Sequence, residues 1–383
     1  MPVTLAIISD LHCQSQDSEE KETFLYYDAD PTPRNKHPVG SLIRLIQEEG
    51  ITADVLLVPG DLTNQMGTMG LLGAWGYALQ VSRELQTGLV AATVGNHDVD
   101  SRRQLGDDPF RFPREMVEPD FPVPDEVRRQ YYWQNGFCMV DHGNLQVLVL
   151  NSAADHDQQE EIERGGVTDA RLEQIADYLH NSHRTNFRVA LAHHHPILHE
   201  GCGLGPEDVM RNGSFLLDLL GDQGFDLMIH GHKHHPRLIY GPGGQNSVAV
   251  LAAGSLAANN VRNLGLNTFT RNMFHIITLD EPVDRCDHCG TVKSWEFAMG
   301  EGWQASKRQS ARMPNQTGFG CRVRIDELAE EAVEVLARSG ERFLEWNRML
   351  ADMPHLAYLI PLDLIALGSR LRPASDTAFS QAA

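Results

Sequence analysis

Short apolar runs alternate along the chain with longer stretches of helical periodicity. Eight runs read as strands: VTLAIISD, DVLLVPGD, GLVAATVGNHD, LQVLVLNS, RVALAHHHP, DLMIHGHKHH, SVAVLAAGS and FHIITLD. Between them, residues around 39–49, 69–86, 169–182 and 207–221 carry the pattern of helices. This alternation predicts a layered α/β fold. The early runs are apolar at nearly every position, which predicts strands covered on both faces.

Three stretches break the alternation. Residues 13–38 are polar and include DADPTPRN, and residues 100–136 include DPFRFPREMVEPDFPVPDEV followed by RRQYYWQNGF. Both are long for connections and read as insertions. The second is rich in aromatics and reads as an ordered cap or substrate-shaping loop. Residues 300–324 are polar and glycine-containing, as in a linker. Beyond them, residues 325–383 read as a helical extension in which Leu328, Ala332, Val335 and Leu336 recur at helical spacing. The extension is expected to pack on the preceding domain, with self-association through its helices as the alternative.

Composition narrows the functional classes. At 383 residues and 42 % apolar content, the chain can bury a large core. Its net charge of −20 and pI near 5.3 disfavour extended nucleic acid as a substrate. Small anionic substrates remain compatible where bound cations supply positive charge. The first residues lack the basic flank and long apolar core of a secretory signal, and no apolar run reaches the ~18 residues of a membrane span. Six scattered cysteines fit reduced thiols, hence a cytoplasmic protein. Cys286-Asp-His-Cys289 has the spacing of half a structural zinc site, but only Cys321 follows it, so it reads as a turn with free thiols.

Five apolar runs end in metal-ligating residues. ISDLHC supplies Asp10 and His12, VPGDLTN supplies Asp61 and Asn64, and VGNHDVD supplies Asn96, His97 and Asp98. LAHHHP supplies His193, His194 and His195, and IHGHKHH supplies His230, His232, His234 and His235. Ligands in α/β sheets bind beyond the carboxyl ends of strands, so these clusters should converge. On an extended segment, residues two apart share a face, which pairs Asp10 with His12 and His232 with His234. Mixed carboxylate and imidazole donors suit Mn, Fe, Zn or Ni. Their number exceeds the needs of one tetrahedral ion and predicts two, about 3.5–4 Å apart. Asp61, after a glycine that permits close approach, is the natural bridge.

The blocks D-x-H, G-D, G-N-H-D, H before P and G-H-x-H, in this order over residues 1–280, resemble the calcineurin-like metallophosphoesterase superfamily. The resemblance implies two mixed β-sheets in a four-layer sandwich flanked by helices, here residues 1–299 with the C-terminal helical extension added. It implies one metal on Asp10, His12, Asp61 and His234 and another on Asp61, Asn96, His194 and His232. It makes His97 the catalytic histidine, with a hydroxide bridging the metals as the nucleophile. If His194 faces the metals, strand alternation turns His193 and His195 away. His230 then reads as a core histidine and His235 as a rim residue. Many members of the superfamily carry an aspartate where this chain has Asn64. An amide can still orient the His97 ring, but it stabilises an imidazolium less well. Phosphodiester hydrolysis of a small or nucleotide-type substrate leads. A nuclease or phosphomonoesterase on the same site is the alternative, and a non-catalytic scaffold acting through the helical tail is the alternative of another class. The aromatics Phe110, Phe112, Tyr131, Tyr132 and Trp133 are candidates to stack a nucleobase.

Overall fold

Strand β1 (Val3–Ile7) shows how the layers arise. Val3, Leu5 and Ile7 face one core, whereas Ala6 and the following Ile8 face another. In the computed structural model, which describes residues 1–19, 23–29, 35–100, 103–104, 106–115, 120–154, 164–198, 208–242, 246–259, 272–306, 313–341 and 344–374, the same division runs through both sheets.

The first sheet has the order β12 (Gly302–Ala305), β11 (Cys289–Ala298), β10 (Met273–Asp280), β1, β2 (Val55–Val58), β3 (Leu89–Ala92), with β13 (Gln316–Phe319) also paired to β11. Strands β1, β2 and β3 run parallel, and β10 lies antiparallel to β1. The second sheet has the order β4 (Phe137–His142), β5 (Leu145–Leu150), β6 (Phe187–Leu191), β7 (Leu227–His230), β9 (Ala249–Ala252), β8 (Arg237–Tyr240), with β5, β6, β7 and β9 parallel. Leu5, Ile7, Val55 and Leu57 meet Val147, Val189, Leu227 and Ile229 in the core between the sheets.

Helices close the two outer faces. Helices α1 (Pro38–Glu49) and α2 (Thr68–Leu85) cover the first sheet through Leu42, Ile46, Leu71, Trp75 and Val81. The insertion contributes α3 (Arg111–Glu115) and α4 (Glu126–Asn135). Helices α5 (Asp169–Asn181) and α6 (Gly213–Asp222) cover the second sheet through Ile175, Leu179, Leu216 and Leu220. The result is the layered α/β fold that the alternation predicts, in the four-layer form that the family resemblance implies.

Residues 300–324 do not behave as a linker. They supply two strands, β12 and β13, that pair with β11. Beyond them lie α7 (Ile325–Ser339), α8 (Trp346–Asp352), a 3₁₀ turn at Pro354–Tyr358 and α9 (Pro361–Ala374). Leu328, Ala332, Val335 and Leu336 of α7 join a fourth cluster with Leu356, Leu367, Cys286, Cys289 and Cys321, so the extension packs on the β10–β11 turn. Arg285 of that turn pairs with Glu331 and Glu327 of α7. The three cysteines are free and buried. Cys202, residues 13–38 in part and residues 100–136 in part lie outside the described residues.

His275 on β10 joins the two sheets. Its Nε2–H donates to the Ala253 carbonyl at 2.8 Å, and Nδ1 lies 2.8 Å from the Ser294 hydroxyl. Burial pushes the ring down to about 4. Above the unfolded value near 6.5 the group is neutral in both states. As pH falls from there towards 4, the unfolded chain takes up a proton that the folded chain does not. Stability present above pH 6.5 is therefore lost on acidification, by about 3 kcal/mol. Urea unfolding of metal-free protein at pH 7 and pH 4 should show a larger loss for wild type than for His275→Gln. Equal losses would contradict this assignment.

Candidate metal centre

The five chemistry-bearing loops leave the carboxyl ends of β1, β2, β3, β6 and β7. Because these strands run parallel within each sheet, the loops gather at one end of the sandwich. Beyond β1, the chain continues to bond the loop after β2, with Asp10 N–H on the Gly60 carbonyl at 3.2 Å and His12 N–H on that of Asp61 at 3.0 Å. The two sheets are clasped where the Asp10 carboxylate accepts the His232 N–H at 2.8 Å.

The backbone here is not extended. Asp10, His12, Asp61, His232 and His234 all have positive φ, between 46° and 84°. Such left-handed conformations are costly for residues with a Cβ and cluster at functional sites. The expectation that Asp10 and His12, and His232 and His234, meet by strand alternation is therefore corrected: tight turns bring them together. Glycines make the approach possible. Gly60 has φ of 90°, and a Cβ on Gly95 would lie 2.1 Å from Asp61 Oδ1.

One group of donors comprises Asp10, His12 and His234, with Asp61 beside it. His12 Nε2 and His234 Nε2 are 2.9 Å apart. Asp61 Oδ2 is 3.6 Å from His12 Nε2, and Asp10 Oδ1 is 3.5 Å from His234 Nε2. A second group comprises His193, His194 and His232. Asn96 Oδ1 lies 3.1 Å from His193 Nε2 and 3.0 Å from His232 Nδ1, and Asp61 Oδ2 lies 3.2 Å from His193 Nε2. One oxygen of Asp61 thus borders both groups. Its other oxygen, Oδ1, accepts the His97 N–H at 2.9 Å.

His193 is the residue that sequence reasoning misplaced. Its ring faces the centre, Nε2 towards Asp61 and Nδ1 2.8 Å from the Pro59 carbonyl. Strand β6 ends at Leu191, so alternation no longer governs residues 193–195. His194 also stays in the donor group, with Nδ1 2.8 Å from the Ser152 hydroxyl. Ser152 was invisible in the sequence because nothing nearby marks it. His195 packs against the buried His230 with the rings tilted by 60° and their centroids 4.4 Å apart. His235, expected at a rim, is buried.

Asp98 was legible as part of GNHD, but its task was not. Its two oxygens accept Thr63 N–H and Gly95 N–H, both at 2.9 Å, and so tie the Asp61 loop to the Asn96 loop. His97 is half-buried, and its Nδ1 lies 3.2 Å from Asn64 Oδ1. Asn64 Nδ2–H donates in turn to Gln14 Oε1 at 3.0 Å.

The aromatics of the insertion serve the core. Tyr132 is fully buried, with its hydroxyl 2.8 Å from Thr93 Oγ1. Tyr131 packs on Phe137 and Tyr178, and Phe110 and Trp133 pack against the core over the first sheet. Phe112 is half-buried on α3. Base stacking by Tyr132 is thereby excluded, because no face of its ring is exposed.

Burial lowers His193, but Asp61 and Asp10 outweigh it and raise the ring to about 9, so the carboxylates of the centre draw positive charge towards them. Burial holds His12 and His232 well below their ordinary values, so both present neutral imidazole, the form that ligates metals. Burial pushes the Asp61 carboxyl up, but His193, His97 and His12 outweigh it and hold Asp61 well below the usual range. The spacings of 2.9–3.6 Å among neighbouring donors match the ~3.0–3.4 Å edges of a coordination shell with bonds of about 2.1 Å. His232 Nε2 and His12 Nδ1 are buried without a hydrogen-bond partner among the described residues. The residues present fit two metal ions. Among the described residues, every donor cluster of this kind lies at these loops.

A purple acid phosphatase from yellow lupin (Lupinus luteus) seeds aligns at 16 % identity and TM-score 0.48, over 79 % of this chain and 53 % of its own, so this chain spans about half its length. A phosphopantetheinyl hydrolase from Mycobacterium tuberculosis aligns at 16 % identity and TM-score 0.35, over 66 % of this chain and 90 % of its own. A metallophosphoesterase from Sphaerobacter thermophilus aligns at 12 % identity and TM-score 0.28, over 72 % and 83 %. A search of curated proteins finds no match. A family model described as wHTH-Calcineurin_assc matches residues 317–373. The model of the calcineurin-like phosphoesterases matches residues 3–236, more than half of the chain and all of the loops just described, and the chain belongs to that family.

Proposed function

We propose that this protein is a metal-dependent phosphodiesterase acting on small substrates, nucleotide-type esters among them. One arrangement carries the proposal. A half-exposed His97 stands beside a carboxylate, Asp61, that two donor groups share. When bound, two metal ions would supply charge neutralisation on the phosphoryl oxygens and an activated water. Asp10, His12, Asp61 and His234 would hold one ion, and Asp61, Asn96, His193, His194 and His232 the other.

The chain's own residues do the remaining work. Asn64 Oδ1 accepts from His97 Nδ1–H, and this fixes the ring so that Nε2 is the atom left for substrate. As an imidazolium, His97 donates its Nε2 proton to the leaving oxygen and keeps Nδ1–H on Asn64 throughout. Positioned proton transfer of this kind contributes about 10²–10⁴ in rate. The strongly acidic chain repels long polyanions and favours esters small enough to reach the loops.

A panel at fixed salt with manganese added tests the reading. Bis(4-nitrophenyl) phosphate and cyclic nucleotides should turn over at least tenfold faster than 4-nitrophenyl phosphate or single-stranded DNA. Preference for the monoester or for DNA would replace the substrate assignment. Absence of turnover on all four with metal bound would leave the scaffold reading.

A further inference from the structure

His97, Asn64 and Gln14 form a chain of hydrogen bonds from the mouth of the centre into the protein. Asn64 and Gln14 are both buried. The Gln14 backbone is held on both sides, its N–H on the Leu25 carbonyl at 3.2 Å and its carbonyl accepting Tyr27 N–H at 3.0 Å. Asn64 N–H bonds the Cys13 carbonyl at 3.3 Å, so the two amides sit on adjoining, mutually bonded loops.

The polarity of this chain matters because an amide has two unlike ends. With Gln14 Oε1 accepting from Asn64 Nδ2, Asn64 must turn Oδ1 towards His97. His97 Nδ1 is then a donor. That is compatible with the imidazolium and with the neutral ring left after Nε2 gives up its proton. Were Asn64 reversed, its NH₂ would face Nδ1, and an imidazolium could not form without two N–H groups opposing each other. An aspartate at position 64 would have no such ambiguity. With asparagine there, something must choose its orientation.

We propose that Gln14 is a positioning residue: by accepting from Asn64 Nδ2, it sets the Asn64 amide so that His97 can act as a proton donor. This rests on the phosphoesterase reading above. It also accounts for how the chain tolerates asparagine in place of the carboxylate.

The test compares Gln14→Leu, Asn64→Asp and the double variant on bis(4-nitrophenyl) phosphate and on diphenyl phosphate, whose poorer leaving group needs the proton more. Gln14→Leu should lower kcat about 10–100-fold on the diphenyl ester, the range typical of groups that orient an active residue. The loss should be smaller on the nitrophenyl ester, with KM and bound metal unchanged. Gln14→Glu, which keeps an acceptor, should recover most of the loss. In the Asn64→Asp background, where position 64 can only accept, Gln14→Leu should cost nothing further. A loss equal on both esters, or one that persists beside Asp at position 64, would show a merely structural role and overturn the proposal. Should Gln14→Leu fail to fold, Gln14→Met carries the same expectations. If the wild type hydrolyses neither ester, it is the underlying reading that falls.

Discussion

Asp61→Asn should lower turnover by about 10³ or more and leave fewer than two metal ions per chain. Asparagine is nearly isosteric and can still accept the His97 N–H that Asp61 Oδ1 receives. The variant therefore separates charge from shape. Asp61 Oδ2 borders both donor groups, at 3.6 Å from His12 Nε2 and 3.2 Å from His193 Nε2. The neighbouring imidazoles hold its carboxyl well below the ordinary range despite burial, so the wild-type group is anionic at neutral pH. A neutral amide withdraws the one charge common to both positions. Losing a metal's stabilisation of the transition state removes several kcal/mol, and each 1.36 kcal/mol is tenfold in rate, so about 4 kcal/mol gives the stated loss. Metal analysis alongside steady-state rates checks both halves. Two ions retained with a rate within tenfold of wild type would contradict the bridging role.

His97→Ala should produce the complementary result, a loss of about 10²–10⁴ in kcat with both ions kept. His97 touches the centre through its backbone N–H and its ring edge, 4.8 Å centroid to centroid from His12, while its Nδ1 is turned to Asn64. Removing the ring takes away a nitrogen that lies in a donor group with His12 and Asp61, but none of the residues proposed to hold the two ions. The deficit should shrink on esters with good leaving groups, which need no proton. A variant that loses metal together with activity would make His97 a ligand and not an acid.

The sequence made the positions of the chemistry legible because each set of ligands follows an apolar run that becomes a parallel strand. Strand β1 leads to Asp10 and His12, β2 to Asp61, β3 to Asn96 and His97, and β7 to His232 and His234. What failed was the extrapolation of strand geometry past the strand ends. Five of these residues sit at positive φ, and β6 stops two residues before His193, so facing could not be read from parity. The role of Tyr132 was hidden for another reason. An aromatic in a polar insertion suggests a binding surface, yet its hydroxyl finds Thr93 and its ring fills the core. Strands β12 and β13 went unseen because GWQA and QTGF are four residues each and pair only at the sheet edge, which gives them too little apolar signal. The polarity of the Gln14–Asn64–His97 chain depends on contacts 33 and 50 residues apart, which no local pattern encodes.

Anomalous diffraction from crystals of the wild-type protein loaded with manganese is the most direct measurement of the centre. Two peaks are expected about 3.5–4 Å apart near Asp61, one beside Asp10, His12 and His234, the other beside Asn96, His193, His194 and His232. A single peak away from Asp61, or none among these residues, would contradict this arrangement.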